Sequence, residues 1–246
     1  MTEIRQYPDI SHLAEAMADY IVARCKSAIQ ENNQFTLVLT GGSTPRSLYS
    51  LLATEAYAEQ IDWSRVHVFW GDERCVPLDH PDSNFRLAQE TLLDHVPIPA
   101  ENIYPMNGEI DPAQAAAEYE HQLRMFFGKN ADPIFDLLLL GMGEDGHTAS
   151  LFPETAAIHE EARWAIAHHV DKLGAWRLTL TPVVINEAEH VAFIVAGANK
   201  AEALKHVVSG PYLPFDYPSQ IVKPLSGHLI WFIDQAAGHL LAEGLE

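Results

Sequence analysis

Cysteine is almost missing from this chain. Cys25 and Cys75 are the only two in 246 residues, too few for a disulfide framework and too far apart to form a paired metal-ligand motif. Both are expected as buried, reduced thiols. Basic side chains are scarce as well, with 15 Lys and Arg against 34 Asp and Glu and a formal net charge of -19. A surface of that sign repels nucleic acid and anionic membranes, so neither is expected as a partner. The same deficit gives weight to any Lys or Arg beside a glycine-rich turn, because an anionic ligand needs positive charge close by to offset the field. Long apolar runs are absent. The stretch around Leu137 to Leu140 is far too short to span a bilayer. Met1-Thr2-Glu3-Ile4-Arg5-Gln6 lacks the basic start and apolar run of a signal peptide. The expectation is a cytoplasmic protein.

Hydrophobic residues make up 48% and charged residues 20% of the chain, the balance of an ordinary globular protein. The length suits one large domain or two small ones. Runs rich in branched and aromatic residues at Thr36 to Thr40, Val66 to Trp70, Phe135 to Leu140, Val191 to Val195 and Leu229 to Ile233 read as buried strands. Between them, helical spacing joins Leu13, Met17, Ile21 and Cys25, then Phe85, Ala88 and Leu92, then Ala116, Tyr119, Leu123 and Phe126, then Leu204, Val207 and Val208. Thr44-Pro45 offers an N-cap with proline in the first helical position, and Asp111-Pro112-Ala113-Gln114 a cap, a proline and a box-like glutamine. Such alternation predicts a three-layer α/β/α fold of modified Rossmann type, with a mostly parallel sheet and ligands at the carboxyl ends of its strands. Ala165 to Val170 and Arg177 to Thr181 can form a small antiparallel addition. With no repeat, low-complexity stretch or convincing boundary, residues 1–246 read as a single domain.

Four strand-end loops can carry chemistry. In Thr40-Gly41-Gly42-Ser43-Thr44-Pro45 the glycines admit close approach of a ligand, while free N–H groups, the helix dipole and the two hydroxyls favour an anion. The same residues equally suit a tight turn capped by Thr44, and the lysine of a Walker loop is missing. In Trp70-Gly71-Asp72-Glu73-Arg74, Arg74 is placed to grip a phosphate or carboxylate, with Asp72 or Glu73 holding its guanidinium; an arginine there is more often a surface ion pair. Lys200, in Gly197-Ala198-Asn199-Lys200, opens a helix, where a cation is unfavourable unless an anion sits nearby. Arg177 is a similar candidate, although a basic residue at a strand edge is ordinarily a solubilising charge.

The remaining loop, Gly141-Met142-Gly143-Glu144-Asp145-Gly146-His147-Thr148-Ala149-Ser150-Leu151-Phe152-Pro153, superficially matches a dinucleotide fingerprint. Glu144 and Asp145 would repel a pyrophosphate and Pro153 interrupts the expected helix, so the match is rejected. What remains is His147 at a strand end. An imidazole titrates near neutral pH and suits proton abstraction from water, with Asp145 or Glu144 orienting it; the plain alternative is a histidine capping the next turn. The other histidines, His168-His169 and His190 among them, show no zinc spacing. No cofactor or metal is expected.

These five motifs in this order, Leu39 to Pro45, Trp70 to Arg74 with Asp82-Ser83-Asn84, Gly141 to Pro153, Arg177-Leu178-Thr179-Leu180-Thr181 and Gly197 to Ala201, resemble the 6-phosphogluconolactonase family over nearly the whole chain. That family lies in a superfamily with glucosamine-6-phosphate deaminase and ribose-5-phosphate isomerase. Deaminases resembling it place Asp-Glu-Tyr after the second strand and follow Asp-Gly-His with Ile-Ala-Phe-Asn-Glu-Pro. Here Asp72-Glu73-Arg74 and Thr148-Ala149-Ser150-Leu151-Phe152-Pro153 stand instead. One departure is Lys172-Leu173-Gly174-Ala175-Trp176, where a proline-rich approach to Arg177 is expected. The resemblance implies hydrolysis of 6-phospho-D-glucono-1,5-lactone to 6-phosphogluconate in the oxidative pentose phosphate pathway. It implies a small phosphorylated sugar lactone as ligand, His147 as general base oriented by Asp145, and Gly41, Gly42, Ser43, Thr44, Arg74, Arg177 and Lys200 as substrate and phosphate contacts. A deaminase-like isomerase and a catalytically silent sugar-phosphate sensor are the alternatives.

Overall fold

The structure is a computed structural model that describes residues 2–128 and 131–241. Among these, ten strands run in chain order: β1 (Thr2–Tyr7), β2 (Phe35–Leu39), β3 (Val66–Trp70), β4 (Asp72–Arg74), β5 (Ile103–Tyr104), β6 (Leu137–Leu140), β7 (Ala165–Val170), β8 (Ala175–Leu180), β9 (His190–Val195) and β10 (His228–Asp234). The α-helices are α1 (Ile10–Asn32), α2 (Ser43–Leu52), α3 (Glu55–Ala58), α4 (Asn84–Thr91), α5 (Pro112–Phe127), α6 (Pro182–Ile185), α7 (Ala201–Ser209) and α8 (Gln235–Gly238). Seven strands make one sheet in the order β1-β10-β9-β6-β2-β3-β5, and every pairing in it is parallel. Helices cover both sides. That is why β2, β6 and β9 are buried at every residue and read as continuous apolar runs. From β2 the chain builds outward through β3 and β5, and from β6 it builds the other way through β9 and β10. The order therefore reverses between β2 and β6, and a crevice opens there at the carboxyl ends. The antiparallel addition is real and larger than expected: β4-β8-β7 forms a second sheet.

Several boundaries differ from the sequence reading, each for a local reason. β6 starts at Leu137 because the Asp136 carboxylate accepts hydrogen bonds from Thr36 N at 2.7 Å and Thr36 Oγ1 at 2.6 Å, linking the strands by side chain. β1 carries no apolar run because it is an edge strand, half exposed along its length. α2 starts at Ser43 with Gly42 as its cap, so Thr44 is not the cap and Pro45 falls third. Proline is tolerated there because first-turn N–H groups have no intrahelical acceptor. Asp111 does cap α5, accepting from Ala113 N and Gln114 N at 3.1 Å each, but Gln114 donates to Glu118 instead of closing a box. Cys25 is buried and Cys75 only half-buried. The buried apolar side chains from Leu13 to Ala237 form one connected core. Among the described residues no helix is long and apolar enough to cross a membrane.

Candidate active site

The loops following β2, β3, β6 and β9 meet at the crevice. Two adjoining hollows occupy it, one of ≈ 210 Å³ against Gly41, Gly42, Ser43 and Thr44 and one of ≈ 580 Å³ against Asp145, Lys172 and Arg177. His147, Arg74 and Lys200 border both. The fold thus brings together all nine of the residues singled out in the sequence. Two buried tyrosines set the exits of the strands. Tyr49 on α2 donates to Thr40 O at 2.7 Å and accepts from Thr40 N at 3.0 Å. Tyr119 on α5 does the same for Trp70, at 3.1 and 3.0 Å. Burial pushes both phenols upward, so they stay neutral.

The loop after β6 is folded back on itself. Gly143 N donates to His147 O at 2.8 Å, Gly146 turns through a left-handed φ of 76°, and Ser219 donates to Gly146 O from N and from Oγ. The turn sets His147 Nδ1 2.5 Å from Asp145 Oδ1, with the imidazole stacked on Phe152 at 4.1 Å between centroids. A Cβ on Gly143 would stand 2.0 Å from His147 Nδ1, so only glycine admits this approach. Of the two acids in the loop, Asp145 is the one bonded to His147; Glu144 instead accepts from Asn199 Nδ2 at 2.6 Å. Burial alone would raise the Asp145 carboxyl, but the bonds from His147 and Lys172 hold it well below the usual carboxylate range. An ionised carboxylate only accepts, so Nδ1 donates to it, and the ring borders both hollows.

Arg74 and Arg177 sit directly opposite each other across β4 and β8. Neither Asp72 nor Glu73 holds Arg74, contrary to the sequence reading: its guanidinium donates to the backbone carbonyl of Asp82. Glu73 is buried and accepts from Arg74 N, Asn84 N and Phe85 N at 2.8 Å each, capping α4. Burial raises its carboxyl and these N–H groups oppose the rise. Asp72 accepts from Ser150 Oγ at 2.8 Å. Burial, and then the neighbouring Arg74, push Arg177 below the usual guanidinium value. Lys200 ends a short turn and caps α7 instead of lying within its first turn. Among the described residues, Arg74, Arg177 and Lys200 form no ion pair, whereas Arg5, Arg65, Arg86, Arg124, Arg163 and Lys172 all do. In so acidic a chain, three cations without ion pairs round one cleft give it a locally positive field.

Asp72, Ser150, Lys172 and Asn84 also line these hollows, although the sequence reading places Asp72 only on Arg74 and gives the other three no part. Asn84 is buried, donates to Asp72 O at 2.9 Å, and its Oδ1 has no partner. That amide lies where a Cβ on Gly41 would come, 1.8 Å away. Among the described residues no group of three His, Cys, Asp or Glu side chains is arranged to hold a metal ion.

The chain matches the family described as glucosamine-6-phosphate isomerases/6-phosphogluconolactonase over residues 8–231. It is 46% identical to a 6-phosphogluconolactonase of Synechocystis sp. over 224 residues, covering 90% of each chain. It is 37% identical to a 6-phosphogluconolactonase of Haemophilus influenzae over 235 residues, covering 96% of this chain and 98% of that one. The solved structure of a 6-phosphogluconolactonase from Trypanosoma cruzi superposes with a TM-score of 0.87 at 27% identity, covering 98% of this chain and 97% of that chain.

Proposed function

This chain belongs to the glucosamine-6-phosphate isomerase and 6-phosphogluconolactonase family, and from that membership we propose that its cleft hydrolyses 6-phospho-D-glucono-1,5-lactone to 6-phospho-D-gluconate with His147 as general base. Its activity is that of a 6-phosphogluconolactonase, a hydrolase of the oxidative pentose phosphate pathway. The observation that carries the residue assignment is the His147–Asp145 pair beside three cations that form no ion pair, all round one cleft. The substrate phosphate sits between the start of α2, at Gly41 to Thr44, and the cations of Arg74, Arg177 and Lys200. That anchor holds the lactone ring against His147. Nε2 takes a proton from water as the water oxygen attacks the carbonyl carbon. Asp145 stabilises the imidazolium, which then returns the proton to the ring oxygen as the C–O bond breaks. The whole chain works as one domain, takes a small anionic sugar and neither nucleic acid nor membrane, and belongs in the cytoplasm, in keeping with its charge of -19.

The direct test is a coupled assay with freshly generated lactone, in which 6-phosphogluconate release above the spontaneous rate is read by its oxidation. Release at the spontaneous rate, or ammonia from glucosamine 6-phosphate, would exclude the lactonase reading.

A further inference from the structure

Lys172 lies at the tip of the β7–β8 hairpin. Asp171–Leu173 make one tight turn there, and Gly174 closes it at a left-handed φ of 58° with its N–H on Asp171 O at 3.1 Å. The turn aims Lys172 Nζ at Asp145 Oδ2, 2.8 Å away, while Oδ1 of the same carboxylate serves His147. The charged groups facing the dyad are Glu144 on its own loop, Asp72 and Arg74 from β4, Lys172 from the hairpin, Arg177 from β8 and Lys200 beyond β9, and, across the second hollow that Asp145 borders, Glu154, His168, His169, Asp171 and Asp216. Arg74 and Arg177 spend hydrogen bonds on the carbonyls of Asp82 and Trp176, Glu144 on Asn199, and Asp72 on Ser150. Of these groups, Lys172 is the one bonded to the dyad itself.

We propose that Lys172 is a positioning residue that acts through Asp145, fixing the carboxylate against His147 and keeping the imidazole in its neutral, proton-accepting form. A carboxylate 2.5 Å from Nδ1 favours the imidazolium, and so does the net negative field of the chain. A base that is already protonated cannot accept the proton of water. The Lys172 cation on the far oxygen offsets that pull without touching the cavity face of His147. Its side chain is 69% exposed, so the offset is partly screened by water and salt. The inference rests on the base reading above, yet one experiment separates the two.

Histidine titration is followed by NMR on imidazole-labelled protein, with the His147 signal assigned from a His147→Gln spectrum, alongside the pH profile of kcat/KM. In Lys172→Met at low salt the His147 midpoint should move upward by about half a pH unit, the interaction expected of a charge roughly 6 Å away in a watery setting. Lys172→Arg should restore it, and molar salt should shrink the difference between wild type and Lys172→Met. If the acid limb of kcat/KM moves by the same amount, both readings hold. A shifted NMR midpoint with an unmoved acid limb keeps Lys172 in its place and removes His147 as the base. An unmoved midpoint in a folded Lys172→Met protein overturns the inference, because a merely structural lysine would alter stability and leave the imidazole titration alone.

Discussion

At the scale of single residues, the cleft is built from groups that meet where a glycine leaves out a side chain. His147→Ala should lower kcat by roughly a hundredfold or more with a smaller change in KM, the usual effect of losing a general base. Near-normal turnover in the folded variant would take His147 out of the chemistry. Gly41→Ala tests the other side of the cleft. The new Cβ would land 1.8 Å from Asn84 Oδ1, so the buried amide must leave Asp72 O, destabilising the protein by about 1 to 3 kcal/mol and raising KM. A thermal melt and a KM both matching wild type would show the amide free to yield. Some of this was legible in the sequence, because Asp145, Gly146 and His147 are neighbours in one loop and a strand-end histidine advertises itself. Asn84 and Lys172 were not, since Asn84 meets Gly41 and Lys172 meets Asp145 only through the fold. Nor was the left-handed φ of 46° at Ala149 in the cleft wall, which nothing in an alanine announces.

Elements deliver these residues by fixing where strands end. The hydroxyls of Tyr49 and Tyr119 each satisfy both backbone groups of the residue at which the chain leaves the sheet. Tyr49→Phe would strand Thr40 N and Thr40 O in a dry interior and should cost about 2 kcal/mol, with a looser Gly41–Thr44 loop and a higher KM. A denaturant midpoint unchanged by the substitution would contradict that role. The central strands were readable because burial on both faces leaves mostly apolar residues, whereas the edge strand β1 and the three-residue β4 carry no such signal. Of the two helix starts read from the sequence, the one at Asp111 holds because its side chain accepts first-turn N–H groups, as Asp9 and Ser83 do for α1 and α4. At α2 a glycine stands in that place, leaving those N–H groups without a side-chain acceptor and open to the proposed phosphate.

At the scale of the molecule, charge and burial set the response to solution conditions. Far from the cleft, His190 on β9 is held by the Tyr20 hydroxyl at 2.8 Å and Arg24 at 3.1 Å. Burial first, then Arg24 and His228, push its imidazole down to about 4. The unfolded chain binds that proton near the ordinary histidine value of about 6.5. The contribution of neutral His190 is therefore complete above the unfolded value and is lost as pH falls from there through the folded one. The melting temperature should drop across that window, and His190→Gln should flatten part of the slope. An identical slope in the variant would assign the acid sensitivity elsewhere. The overall charge was plain from composition, but only the fold reveals that Arg74 on β4, Arg177 on β8 and Lys200 before α7 border one hollow. The most direct test of the central claim is the ratio of kcat/KM for the phosphorylated lactone to that for unphosphorylated gluconolactone, in wild type, Arg74→Ala and Lys200→Ala, with folding checked by thermal melting. Loss of a charge-assisted bond to phosphate should lower that ratio by roughly ten- to hundredfold in each variant, whereas a ratio that stays at the wild-type value in both would contradict a phosphate site at this cleft.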